Sequence, residues 1–189
     1  MEKRFNGSAF RKRIFLFIFL FILFGWMTPH SYGNEDKKIM YGFSVLGGTE
    51  SSNRADILMF ALLPRVGLLL HKNWEFEFEG NLSYYGISKG KNLYLLGVNS
   101  NVLFKPIRWG KGSLFLLGGA GLGYDNSNGH VRHVGDSHLA GVIQGGGGIY
   151  LDIGKGLLLR AEYRIQHISE PFRDDAGLNT HNIALGIAF

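Results

Sequence analysis

The chain has 189 residues, 20 Lys and Arg against 15 Asp and Glu, and no cysteine. That length gives room for one domain, and the missing cysteine excludes a disulfide framework, a thiolate metal site and a lipid-modified cysteine after an export signal. Glycine is abundant at 28 residues but is interleaved with Leu, Ile, Val, Phe and Tyr, which points to closely packed strands and away from a linker.

Residues 1–33 read as a secretory signal peptide, with an uncleaved anchor as the alternative. Lys3, Arg4, Arg11, Lys12 and Arg13 form a basic start, Ile14 to Phe24 is an unbroken apolar run of 11 residues, and Pro29, Ser31 and Gly33 precede a cleavage point before Asn34. The apolar run is too short to make a comfortable membrane-spanning helix. Removing this segment takes away 5 of the 20 basic and 1 of the 15 acidic residues, leaving 15 and 14, a net charge of +1. The basicity therefore belongs to the export signal and gives no reason to expect a nucleic-acid partner. Residues 34–189 remain for the folded domain.

After residue 34 there is no sustained 3.6-residue period. Eight stretches have strand character: about Ile39–Gly48, Ile57–Leu70, Trp74–Ile87, Leu93–Phe104, Ser113–Tyr124, Leu139–Asp152, Leu157–Ser169 and Asn179–Phe189. The third alternates most clearly. Trp74, Phe76, Phe78, Gly80, Leu82 and Tyr84 share one face, and Glu75, Glu77, Glu79, Asn81 and Ser83 the other. Three acids on one face of one strand need water or basic partners.

The connections alternate in length. His71–Asn73, Ile107–Gly112 and Ile153–Lys155 are short, whereas Thr49–Asp56, Asp125–His138 and Glu170–Leu178 are longer and polar; the link Ser88–Asn92 is the exception. An even antiparallel set with short turns at one end and longer loops at the other is the pattern of a transmembrane β-barrel. The expected fold is therefore all-β: an eight-stranded antiparallel barrel of the outer membrane of a Gram-negative bacterium. Its polar face turns inward as a charged network and its apolar face turns to lipid. The alternative is a soluble secreted barrel or sandwich with the apolar face inside. The chain stops on Phe189, and a terminal aromatic on a closing strand resembles the signal by which the barrel assembly machinery recognises its clients.

The closing pair of strands carries the chemistry. On the seventh, Leu157, Leu159, Ala161, Tyr163, Ile165, His167 and Ser169 share the apolar face. With both termini periplasmic this strand runs outward, which brings His167 and Ser169 to lipid at the outer leaflet, where polar groups are costly without a purpose. Residues i and i+2 of a strand point the same way about 6.5–7 Å apart, so His167 is within reach of Ser169. An imidazole that takes the hydroxyl proton makes serine a nucleophile, and a third group should orient the ring. A His-x-Ser triplet alone is weak, and two inert interfacial polar residues are the bland reading.

The surrounding residues are more specific. Gln166-His167-Ile168-Ser169, then Gly177-Leu178-Asn179-Thr180-His181-Asn182 and the closing Leu185-Gly186-Ile187-Ala188-Phe189, resemble the C-terminal signature of the PagL family of lipid A 3-O-deacylases, whose members are also called acyloxyacyl hydrolases. Upstream the likeness is looser and rests on Leu63-Pro64-Arg65-Val66-Gly67 and the barrel length. The resemblance implies an outer-membrane barrel with a serine esterase site on its lipid-facing exterior that removes the 3-linked acyl chain of lipid A. His167 matches the base and Ser169 the nucleophile. Two features depart from the family. Glu170 follows the serine where asparagine is usual, and the turn is two residues shorter, so the triad acid falls at Asn179, which has no charge to stabilise an imidazolium. Glu170, Asp174 and Asp175 are the alternatives for the third member. Backbone N–H groups of the Glu170–Gly177 turn are the expected oxyanion donors. No metal or cofactor is expected.

Other features carry less. His130, His133 and His138 are better read as a solvated loop than as metal ligands, because their spacing defines no geometry. Gly118-Gly119-Ala120-Gly121-Leu122-Gly123 lacks the helix that a phosphate loop needs and reads as a packed strand. Lys89, Lys91, Arg132 and Arg173 are candidates for lipopolysaccharide phosphates or simply for loop solubility. The rival function is a small OmpA-like or OmpW-like structural barrel or adhesin; an esterase acting on phospholipid is a third. Lipid A or lipopolysaccharide is thus the expected partner, with a homodimer left open.

Overall fold

A computed structural model describes residues 39–50, 57–88, 92–126, 138–170 and 177–189. The signal-peptide segment, His130, His133, Asp174, Asp175, Lys89, Lys91, Arg132 and Arg173 lie outside the described residues.

Eight antiparallel strands close on themselves in chain order: β1 (Ile39–Glu50), β2 (Ile57–His71), β3 (Trp74–Ile87), β4 (Leu93–Trp109), β5 (Gly112–Asp125), β6 (Leu139–Gly154), β7 (Leu157–Ser169) and β8 (Leu178–Ala188). Closure is made by β8 against β1, from Gly42↔Ala188 to Glu50↔Thr180. It is fastened at the chain end by reciprocal backbone bonds between Tyr41 and Phe189, at 2.8 and 2.9 Å. A closed ladder leaves no sheet edge unpaired, which strands in hydrocarbon require.

β3 and β7 match their expected ranges, and most other ends shift by one or two residues. The link after the fourth strand is corrected more substantially. Ile107 to Trp109 continue β4 past a register shift between Phe104 and Ile107, so the turn is only about Gly110 and Lys111. Pro106 sits in that shift. Lacking an N–H, proline belongs where the ladder is interrupted. Lys105, just before it, keeps the inward parity of Asn99, Asn101 and Leu103, and its Nζ meets Glu75 Oε2 at 2.7 Å. Pro64 is a second proline within a strand, and Gly80 on β3 leaves space for its ring: a Cβ there would lie 2.9 Å from Pro64 Cγ.

Alternation along each strand sorts residues as a membrane barrel needs. The acids of β3 point inward. Glu79 receives Arg164 Nη1 at 2.7 Å and Arg65 Nε at 2.9 Å, and Glu162 receives Arg164 Nη2 at 2.6 Å and Arg160 Nη2 at 2.6 Å. Arg160 Nη1 also reaches Glu77 at 2.5 Å. Asn99 and Gln144 donate to Glu79, and Asn101 donates to Glu77. Within this network Arg65, Lys105, Arg160 and Arg164 balance Glu75, Glu77, Glu79 and Glu162, so the charges of the network cancel. Each ion is desolvated, and it is the mutual pairing that offsets the cost.

The interior is not polar throughout. Above the network, at the loop end, Leu46, Met59, Leu93, Ile168 and Leu178 form an apolar plug; below it, Leu103, Phe115, Tyr150 and Leu158 form a second cluster. Arg160 lies over the rings of Phe115 and Tyr150, at 4.8 and 5.3 Å, and joins the lower cluster to the ions. The barrel is therefore filled. The plug also explains why β2 reads as continuously apolar: both of its faces are hydrophobic at that end.

The outer face is a belt of exposed Leu, Ile, Val and Phe side chains. Such a surface is insoluble as a monomer in water and matches a bilayer core. The soluble alternative, with its apolar face inside, is excluded by this arrangement. The chain is an all-β, eight-stranded transmembrane barrel of the outer-membrane type.

Candidate active site on the closing hairpin

The odd-numbered residues of β7 point outward, as do Asn179, His181, Ile183, Leu185 and Ile187 of β8. Register then decides which polar groups meet. His167 and Asn179 are direct cross-strand neighbours, with Ile165 opposite His181 and Tyr163 opposite Ile183. His167 Nδ1 lies 2.9 Å from Asn179 Oδ1. The amide oxygen only accepts, so this bond puts the proton on Nδ1 and leaves Nε2 as the basic nitrogen. A general base requires that tautomer.

The turn into β8 holds the ring from its other side. Gly177 adopts φ +57°, which favours glycine, and a Cβ at this position would lie 2.7 Å from His167 Nε2 and closer still to Cε1. The backbone of Gly177 thus lies against the Cε1–Nε2 edge of the imidazole.

Ser169 ends β7, half-buried, on the same outer face and opposite Gly141 of β6. Among the described residues, no hydrogen bond joins its hydroxyl to His167. The expected base–nucleophile contact is therefore not made in this conformation, although the imidazole and the amide that orients it are together. Contacts of this kind are often long before substrate binds. Glu170 lies half-buried just past β7, and it is Asn179 that reaches His167 Nδ1. Most of the turn expected to supply oxyanion donors lies outside the described residues.

His138 serves the loop ends: its Nδ1 meets the Asp125 carbonyl at 2.9 Å and its ring stacks on Tyr124 at 5.0 Å. The glycines of β5 divide by face. A Cβ at Gly119 or Gly121 would strike the interior amides Asn101 and Asn99, while Gly118 faces open space outside.

Two contacts were missed by sequence reasoning. One is Gly177 against the imidazole, whose only signal is a glycine ending a turn. The other joins Tyr163, by its hydroxyl, to Nδ1 of His181, with the rings stacked at 6.0 Å. A tyrosine four residues before His167 gives no sign in the sequence of pairing with His181.

By sequence, no family description and no curated protein matches the chain. Solved structures do. The outer membrane enzyme PagL superposes with a TM-score of 0.62 at 12% identity, over 77% of this chain and 97% of that one. Neisserial surface protein A gives 0.62 at 12% identity, over 82% and 98%. OprG from Pseudomonas aeruginosa gives 0.50 at 12% identity, over 80% and 94%. At this identity the likeness is one of fold, and it defines a class: the small eight-stranded barrels of bacterial outer membranes. Those three are described as an enzyme, a surface protein and an outer membrane protein.

Proposed function

We propose that this chain is a lipid A 3-O-deacylase, a serine esterase acting in the outer leaflet of the outer membrane. One observation carries the reading: the lipid-facing hydrogen bond from His167 Nδ1 to Asn179 Oδ1, 2.9 Å long, with Ser169 two residues further along the same face. A polar constellation of this kind on a surface built for hydrocarbon is costly unless it acts on something there. The resemblance of residues 157–189 to the PagL signature agrees with it.

In the mechanism, Ser169 Oγ attacks the ester carbonyl while His167 Nε2 takes its proton. The imidazolium, held by Asn179, then protonates the leaving sugar hydroxyl. Water, activated by the same nitrogen, hydrolyses the acyl-serine and returns the hydroxyl. Backbone N–H groups of the turn before β8 stabilise the oxyanion. A 3-linked acyl ester of lipid A lies at the depth of the loop end, where Ser169 stands. Export through the segment 1–33, insertion through the Phe189-terminated strand by the barrel assembly machinery, and either a monomeric or a homodimeric state belong to the same proposal.

The test is the acylation state of lipid A in an outer membrane that contains the chain, read by mass spectrometry beside a Ser169→Ala control. Loss of one 3-linked acyl chain, restored by the substitution, is expected. Unchanged lipid A with the barrel inserted would sink the proposal. The rival reading, a non-enzymatic surface barrel, draws on two observations: the serine is not bonded to the imidazole, and the orienting group is an amide.

A further inference from the structure

The turn end of the barrel is a tied rim, and its charge is positive. Arg108 Nη1 donates to the Lys72 carbonyl at 2.8 Å and the Lys105 N–H to the Asn73 carbonyl at 2.8 Å, so the turn between β2 and β3 is joined to β4. The Asp152 N–H donates to the Lys111 carbonyl at 2.7 Å and joins the turn between β4 and β5 to β6. Lys72 is half-buried, and Arg108 and Lys111 are exposed. Among the described residues these three cations make no ion pair, whereas Lys105 is spent on Glu75 inside the barrel. Asp152, the described side-chain carboxylate of this rim, accepts the Gly154 N–H at 2.7 Å. The carboxylate that ends the chain at Phe189 follows β8, across the barrel from β4. The loop end has the opposite sign: Glu50, Asp125 and Glu170 lie there, and no described lysine or arginine does.

The shift at Pro106 decides what stands beside these cations. Beyond it Ile107 pairs with Leu114 and Trp109 with Gly112, on the lipid side, while Arg108 pairs with Ser113 on the inner side. Without the shift these faces would be exchanged. The Trp109 ring lies over Gly112, where a Cβ would be 2.6 Å from it. Trp74, packed on Phe104 at 4.7 Å, faces lipid on the neighbouring strand. Indoles seat at the boundary between hydrocarbon and headgroups. The cations therefore stand at headgroup depth, and Ile107, 58% exposed, stands nearer the bilayer centre.

A ligand that satisfies both parts is an anion attached to hydrocarbon. Arg108 uses one of its N–H donors on the Lys72 carbonyl, and a guanidinium has five. Its fork suits the oxygens of a phosphodiester, with Lys72 and Lys111 as point charges beside it. A zwitterionic headgroup would bring an ammonium into the same positive field. We propose that Lys72, Arg108 and Lys111, beside Trp109, bind the phosphate of an anionic phospholipid in the leaflet on the turn side. In an outer-membrane barrel that is the periplasmic leaflet. The site is at the opposite end of the barrel from Ser169 and stands whatever the reaction there.

The experiment uses the full chain carrying Trp26→Phe, so that Trp74 and Trp109 are its only tryptophans and both report on this rim. The protein is inserted in vesicles of mixed phosphatidylglycerol and phosphatidylcholine, with bromine on the chains of one lipid or the other at equal mole fraction. Quenching of tryptophan fluorescence reads the lipid next to the rim. Phosphatidylglycerol is expected to associate about fivefold or more tightly than phosphatidylcholine, since one near-surface cation supplies about that factor. High salt should lower the ratio. Lys72→Gln and Lys111→Gln should each lower it part of the way, and the two together with Arg108→Gln should bring it near one. Arg108→Lys, which keeps the charge, should retain most of it. Equal quenching by the two lipids in the parent, or a ratio that survives the triple substitution, overturns the proposal. So does displacement of the lipid by excess glycerol phosphate, which would make the rim a site for soluble phosphates.

Discussion

His167 and Asn179 face each other across the closing hairpin, Nδ1 to Oδ1 at 2.9 Å, because the β7–β8 register makes them direct partners. The amide fixes the tautomer but brings no charge. In a serine triad the carboxylate also stabilises the imidazolium, and its loss costs several orders of magnitude. Asn179→Asp should therefore raise deacylation by about tenfold or more. Asn179→Leu should reduce it to the level of Ser169→Ala. Release of fatty acid from purified lipid A measures both.

Gly177 is the backbone side of the same clamp. Gly177→Ala introduces a Cβ where the imidazole now lies and places alanine at φ +57°, a region that costs an L-residue about 1–2 kcal/mol. The barrel should still insert, since Gly177 precedes β8. The His167 ring resonances should shift and activity should fall. Unaltered ring resonances would show that the glycine does not hold the ring.

The interior network makes a stability prediction. Glu79 binds two arginines, its cross-strand neighbour Arg65 on β2 and Arg164 from β7 across the barrel. Glu79→Gln leaves the buried cations in excess, and removing one partner of a buried pair costs about 3–5 kcal/mol. Urea unfolding from lipid vesicles should show a loss of that size. Replacing Lys111, in the turn between β4 and β5, should show almost none.

The turn between β6 and β7 contains Lys155 at φ 58°, flanked by Gly154 and Gly156. Asparagine tolerates this left-handed conformation better than lysine. Lys155→Asn should stabilise the barrel by about 0.5 kcal/mol, read as a higher urea midpoint. A lower midpoint would mean that the lysine makes a compensating contact.

The alternating residues of β3 and of β7 were enough to draw the barrel, because a period of two assigns faces with no knowledge of partners. The same rule put His167 and Ser169 on one face of the seventh strand. It was silent on the apolar plug, since Met59 on the inner face of β2 and Phe60 on the outer face look alike in a list of residues. It also misplaced the end of β4, where the Pro106 bulge mimics a turn.

The one-dimensional pattern thus determined the number of strands and the two faces of each, which follow from local alternation, whereas the candidate residues His167, Ser169 and Asn179 rested on the resemblance of residues 157–189 to a family signature. Register between strands is a property of the closed sheet, and only the tertiary structure decided it. That register brought the amide of Asn179 to His167 and set His181 beside Tyr163. A contact between strands depends on how the whole ladder is staggered, and no residue records that in its own neighbourhood.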